Sequence, residues 1–232
     1  MTKHLTCCVI TPVGPGHKTL YENRALPSIK AAVEFGKGCF QEIKALPAYD
    51  LDGKLGRSKA RNDAVRIASR EKFDWIFFLD ADDFLFEQAF VTASKCLEDV
   101  DALWGLIYES SADLKFIQAR PNQLMFAETM KQFLDTDPYL SLQMGHFVRT
   151  DIALKIPFDE SMNCGEDFKY YLSVWSKFRC KKIPEPLFLN IRGTSSTGPK
   201  SANGRDWNNI VGSLYTNAKK AWGRDDNLDH SF

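Results

Sequence analysis

"FDWIFFLDADDFLF", residues 73–86, sets three carboxylates, Asp80, Asp82 and Asp83, directly behind the apolar run Trp75-Ile76-Phe77-Phe78-Leu79. Consecutive apolar positions without alternation predict a strand covered on both faces, as at the centre of a parallel sheet. In open α/β sheets ligands bind beyond the carboxyl ends of the strands, which is where these acids fall. Asp-x-Asp spacing suits a hard divalent cation, because Mg²⁺ or Mn²⁺ takes oxygen ligands and shares them with substrate phosphates. Two carboxylates seldom complete an octahedral shell, so the pattern implies a phosphate-bearing ligand. As a bare motif it is weak, since Asp-x-Asp also occurs in ordinary solvated turns.

Working outward, Leu5 to Val13 is a short apolar run that ends in the turn-rich Gly14-Pro15-Gly16, which predicts a buried strand. Leu20 to Phe35 predicts a helix kinked or started near Pro27, and Gln41 to Ala48 a second strand. From Ser58 to Glu71 the small and apolar residues Ala60, Ala64, Ile67 and Ala68 line one helical face. Strand, helix, strand, helix, strand predicts a parallel α/β sheet. In the second half, 102–108, 114–119, 144–148 and 182–191 read as strands and 126–134 as a helix. Residues 193–204, GTSSTGPKSANG, read as a loop, and Trp207 to Trp222 as an amphipathic helix. Packing of that helix onto the domain is the ordinary expectation for its apolar stripe, with peripheral membrane contact as the other option.

Composition narrows the partners. Hydrophobic residues make up 44% of the 232, enough for a core, and 30 basic residues balance 30 acidic ones. Such a balance favours neither nucleic acid nor an anionic membrane as main partner. The cysteines at 7, 8, 39, 96, 164 and 180 form no Cys-x-x-Cys, which suits reduced thiols in a cytoplasmic protein. No stretch approaches the ~20 apolar residues of a membrane span, and the N-terminus lacks the pattern of a signal peptide.

The context of the carboxylates is more specific than the motif. Gly56, Ser58, Ala60-Arg61-Asn62, a short helix and an apolar strand precede Leu79-Asp80-Ala81-Asp82-Asp83. This closely resembles the segment leading into the Asp-x-Asp motif of family-two glycosyltransferases of the GT-A fold. Val9-Ile10-Thr11-Pro12 is similar to that family's first strand, whose end contacts the nucleotide. A second block, "IPFDESMNCGEDFKYYLSVWSKF" (156–178), predicts a helix burying Phe168, Tyr171, Leu172, Trp175 and Phe178. Asn163 and Glu166 have the spacing of a capping box, which would leave Asp167 to point elsewhere. Asp167 lies in the first turn, where the helix dipole favours the ionised form. In the family, a Phe-Asp-Glu, a short gap and a Glu-Asp precede the acceptor-side helix, and the Asp of that pair is the catalytic base. The resemblance extends over roughly residues 5 to 192 and is specific in these two blocks.

It implies a GT-A fold, α/β with a mostly parallel central sheet flanked by helices, in a single domain over 1–232. The nucleotide-sugar half would cover about 1–100, the acceptor and catalytic half about 101–192, and a loop and helix the rest. The implied reaction transfers one sugar, with inversion, from a nucleoside-diphosphate sugar to a glycan or glycoconjugate hydroxyl. Uridine is the family's commonest nucleotide. Asp80 and Asp82 would hold Mn²⁺ or Mg²⁺, and Asp167 would be the base. Thr11, Pro12, Asp50, Arg61, Asp80 and Arg192 would bind the donor, with Asp52 a rival of Asp50 and Lys200 and Arg205 rivals of Arg192. His146 is a candidate for the acceptor pocket. The usual Asp-Asp-Gly-Ser cluster is replaced by Tyr49-Asp50-Leu51-Asp52-Gly53, and the Gln-x-x-Arg-Trp motif of processive synthases is absent. A sugar-phosphate nucleotidyltransferase and a non-catalytic nucleotide-sugar-binding relative are the competing expectations.

Overall fold

The computed structural model describes residues 4–136, 138–192 and 204–222. Strand β1 (Leu5–Val13) leads through a helical turn α1 (Lys18–Leu20) and a π-helical turn, Tyr21–Ala25, into α2 (Leu26–Phe35) and strand β2 (Phe40–Tyr49). Helix α3 (Arg57–Arg70) precedes β3 (Trp75–Phe78), β4 (Phe84–Leu85) and α4 (Ala89–Ala93). The second half contributes β5 (Ala102–Ser111), β6 (Ile117–Ala119), α5 (Met130–Leu134), α6 (Pro138–Ser141), β7 (His146–Arg149) and α7 (Thr150–Lys155). Helix α8 (Glu166–Trp175), strand β8 (Cys180–Arg192) and helix α9 (Gly204–Trp222) follow.

The strands form one sheet in the order β2-β1-β3-β7-β5-β8-β4, with β6 added to β5. The expectation of a mostly parallel sheet is corrected here: the sheet is mixed. Pairs β1/β2, β1/β3 and β5/β8 are parallel, whereas β7 runs antiparallel to both β3 and β5, and β4 and β6 are antiparallel to their partners. An apolar run records burial but not direction, so the reversal at β7 left no mark in the pattern. One consequence survives the correction. Because β7 is reversed between two strands, β1, β2, β3, β5 and β8 all point the same way and bring their carboxyl ends to one edge.

The unbroken apolar run of β3 has a direct cause. Ile76 and Phe78 pack into a core on one face with Trp104, Val148, Tyr170 and Tyr171, while Trp75 and Phe77 pack on the other with Tyr21, Phe90 and Phe147. Helix α9 docks on the first of these layers. Tyr215 donates its hydroxyl to the carbonyls of Leu134 (2.8 Å) and Thr136 (2.9 Å), and Val211 is buried. No helix among the described residues is long and apolar enough to cross a membrane. All six cysteines are free.

Two elements differ from expectation. The helix expected from 126 starts at Met130, because Thr129 and Gln132 form a capping box there. The box expected at Asn163 and Glu166 is absent: Gly165, at φ 72°, starts α8 with no side-chain cap. Glu166 is engaged elsewhere, as described next.

Candidate active site

At the shared carboxyl edge, the turn after β3 holds the three acids, and each is used differently. Asp80 is one-third exposed and accepts 2.7 Å from Nη2 of Arg61. Asp82 lies beside it, its carboxyl raised above the ordinary range by burial and by the charge of Asp80, an effect that its own backbone N–H, His17 and Arg24 partly oppose. Asp83 turns away. It is buried and accepts from the Ile191 N–H (2.8 Å) and the Asn190 amide (3.2 Å), so it ties the turn to β8. Burial, then Asp82 and Asp80, push its carboxyl well up. The third carboxylate is therefore a structural tether.

Arg61 comes from α3, whose first residue follows Gly56 at φ 77°, a conformation that side chains with a Cβ disfavour. The guanidinium is buried, packs 5.3 Å above the Phe158 ring, and places Nη1 3.5 Å from Oε1 of Glu166. Arg57, one turn earlier, grips the same carboxylate through Nε (2.5 Å) and Nη2 (3.2 Å) and donates to the Asn163 carbonyl. Glu166 is thus a buried anion held by two arginines. Burial works against the charge on Arg61, but Asp80 and Glu166 outweigh it and hold the guanidinium protonated. Asn62 completes the triplet: its amide donates to the Phe158 carbonyl and accepts from the Phe158 N–H, both at 2.9 Å, fixing the segment that leads to α8.

Asp167 follows Glu166 and is half-buried; its Oδ1 accepts the Phe168 N–H at 2.7 Å. Burial first, then the charge of Glu166, raise its carboxyl to about 6, with the Phe168 N–H, Arg57 and Arg61 opposing. One chain of charge therefore runs Asp80, Arg61, Glu166 and Arg57, with Asp167 covalently next to its centre. Asp80 and Glu166 are 86 positions apart in sequence and are joined by a single guanidinium.

The remaining expected residues fall at the same edge with mixed roles. Thr11 is buried at the end of β1 with its hydroxyl unpartnered among the described residues, and Pro12 pairs with Ala48 of β2. Asp50 accepts from the Leu55 N–H (3.1 Å) and the Gly56 N–H (2.8 Å), so it braces the loop leading into α3. Asp52 is an exposed surface acid paired with Lys54. Arg192 ends β8 as an ion pair to the buried Glu109, which also binds Arg120 at 2.6 Å. Lys200 and the Arg205 side chain lie outside the described residues. His146 does not line a pocket. It is buried on β7, stacked on Trp104 at 4.2 Å, and burial together with Arg61 lowers its pKa to about 3, so it is a neutral core residue.

Sequence reasoning missed four contributors. Arg57 and the ionic role of Glu166 are visible only once α3 and α8 meet. Arg24, on the π-helical turn, donates to the carbonyls of Asp82 (3.5 Å) and Ala112 (3.3 Å), linking the carboxylate turn to the end of β5. In the sequence Tyr171 reads only as part of an apolar stripe; its spacing of four from Asp167 is the available signal.

Among the described residues no three His, Cys, Asp or Glu side chains form a group that could hold a metal ion. The residues present do suit a shared cation. Asp80 and Asp82 are adjacent like charges, one raised by the other, and offer hard oxygens that a cation and a phosphate would complete.

No protein-family model matches this chain, and no curated protein sequence does. Solved structures do. The fold is similar to that of S. aureus TarS. The crystal structure of TarS 1–349 in complex with UDP aligns with a TM-score of 0.60 at 15% identity, covering 96% of this chain and 74% of that one. The same segment in complex with UDP-GlcNAc gives 0.58 at 15% identity over the same shares. A longer TarS chain gives 0.62 at 15% identity, covering 94% of this chain and 44% of that one. At 15% identity, it is the superposition that shows a common fold, and it shows the fold alone.

Proposed function

We propose that this chain is a GT-A-type glycosyltransferase that moves one sugar, with inversion, from a nucleoside-diphosphate sugar to a hydroxyl of a glycan or glycoconjugate. UDP-sugar is the favoured donor, because TarS, of similar fold, has been solved with UDP and with UDP-GlcNAc. The observation that carries the reading is the buried Arg61, which joins the Asp-x-Asp turn to the Glu166-Asp167 pair at the ligand edge of the sheet. A solvated turn and an ordinary first-turn acid have no need of such a link.

Asp80 and Asp82 would hold Mn²⁺ or Mg²⁺, which when bound neutralises charge on the departing diphosphate. Thr11 and Pro12 at the end of β1, Asp50 through the loop it braces, and Arg61 would position the donor. Arg192, from its pair with Glu109, would approach the diphosphate from β8. Asp167 accepts the proton of the attacking hydroxyl, and a pKa near 6 leaves it mostly ionised at neutral pH while keeping it basic enough for the task. Direct displacement needs no covalent intermediate, so no Ser or Cys nucleophile enters.

The test is calorimetric titration with UDP, GDP, dTDP and CDP, each in Mn²⁺ and in EDTA. Binding of UDP that disappears in EDTA is the expected result. Absence of binding by all four to folded protein overturns the reading.

A further inference from the structure

Tyr171 carries a feature that packing does not explain. Its ring is fixed by Trp104 (6.1 Å, edge-on), His146 (5.8 Å) and Tyr170 (6.1 Å), and the residue is 1% exposed. Its hydroxyl has no hydrogen-bond partner among the described residues. A buried hydroxyl without a partner loses its hydration for nothing, and phenylalanine would fill the same space without that loss. Asp167, Asp80, Arg61 and Glu166 are the charges that act on it, and Asp167 lies four residues earlier, one turn along the same side of α8.

We propose that Tyr171 is a positioning residue for Asp167: its hydroxyl donates to the Asp167 carboxylate once UDP and the metal are bound, holding that oxygen pair toward the acceptor hydroxyl. The inference rests on the reading of Asp167 as the base. Asp167 already has Oδ1 on the Phe168 N–H, so a donor from one turn further along would fix the plane of the carboxylate. Hydrogen bonds at catalytic groups are often long before substrate binds and tighten in the complex.

The surrounding charges are accounted for. Glu166 on the same helix and Arg57 and Arg61 on α3 act on Asp167, and Asp80 reaches the phenol from the turn after β3. Asp206 on α9 faces the neighbouring Cys164, and His146 on β7 is neutral. Burial first, then Asp167 and Asp80, hold the phenol protonated well beyond its ordinary range, so it acts as a donor throughout the working pH.

The test is Tyr171→Phe in the full chain, read by ¹³C-carboxylate NMR titration of Asp167, with and without saturating UDP and Mn²⁺. Loss of the donor destabilises the carboxylate, so the Asp167 midpoint should rise by about one unit in at least one state, and the acid limb of kcat should move with it. An unchanged midpoint in both states overturns the proposal, and so does a large fall in thermal unfolding temperature, which would reveal a structural partner for the hydroxyl. Because the titration needs no turnover, it stands apart from the base assignment itself, which falls if Asp167→Asn keeps the wild-type kcat.

Discussion

Arg61 Nη2 lies 2.7 Å from Asp80 Oδ1, while Nη1 of the same buried guanidinium lies 3.5 Å from Glu166 Oε1. Removing the arginine would leave Glu166, 3% exposed, with Arg57 alone, and would open the space above Phe158. Breaking a buried ion pair from one side costs about 3–5 kcal/mol, or roughly 10 °C in a chain of this size. Arg61→Ala should therefore lower the unfolding midpoint by that order and abolish donor binding. Arg61→Lys should recover part of the stability but not the two-sided contact, because an ammonium cannot present a planar fork. A calorimetric scan of both variants checks this; an unshifted midpoint in Arg61→Ala contradicts the buried-link account.

Adjacent aspartates should have opposite phenotypes. Asp83→Ala strands the buried N–H of Ile191 and the amide of Asn190, at a cost of about 1–3 kcal/mol for each group left unpaired. Its unfolding midpoint should fall, and metal-dependent UDP binding should weaken only indirectly. Asp82→Asn removes a charge that burial and Asp80 already disfavour, so its stability should hold or rise while Mn²⁺-dependent UDP binding is lost. Paired thermal scans and calorimetric titrations separate the two. If Asp82→Asn binds UDP and Mn²⁺ as before, the assignment of Asp82 as a metal ligand falls.

Much of the ligand edge was legible from 56–83, because its constraints are local. A short aromatic-rich run that is apolar at every position suits a strand buried on both faces, and the structure covers β3 with two core layers. Helix α3 also appears within one residue of its expected start. What stayed hidden depends on distant partners. Glu166 has the spacing of a capping residue after Asn163, but Arg57, 109 positions away, draws its carboxylate off the helix terminus. His146 is polar in type, yet ring stacking on Trp104 places it in the core. The reversal of β7 has no local cause at all; it follows from which strands the chain brings to either side.

The pKa of Asp167 gives two linked outcomes. The base must be ionised, so kcat should rise with pH through a midpoint near 6 and level off above 7. Glu166 is one of the causes of the rise, so Glu166→Gln should move the limb to lower pH, even as the loss of the arginine pairs lowers stability. For stability the sign is reversed from the usual paired acid. The folded pKa, about 6, exceeds the ordinary aspartate value of 3.8, so folded protein holds the proton longer and loses stability as pH climbs from about 4 to 6. Asp167→Asn, which cannot ionise, should unfold at a higher temperature than wild type above pH 6, and the gap should close below pH 4. Scans at pH 4 and 7.5 decide it, and a gap that is the same at both would show that Asp167 is not perturbed.

Gly165 links the C-terminal helix to the base. It starts α8 at φ 72°, immediately before Glu166 and Asp167, and a Cβ placed there would lie 3.1 Å from Ile210 Cγ2 and 3.5 Å from Val211 Cγ2 on α9. Two costs follow from Gly165→Ala: about 1–2 kcal/mol for a left-handed alanine, and crowding that α9 relieves only by shifting. Because Glu166 and Asp167 are the next two residues, any relief taken by α8 moves the base relative to Arg61. The expected outcome is a drop of several degrees in the unfolding midpoint and a fall in kcat larger than any change in UDP affinity. Steady-state kinetics with matched UDP titrations test this. A variant that loses stability but keeps full kcat would show that the start of α8 does not set the position of Asp167.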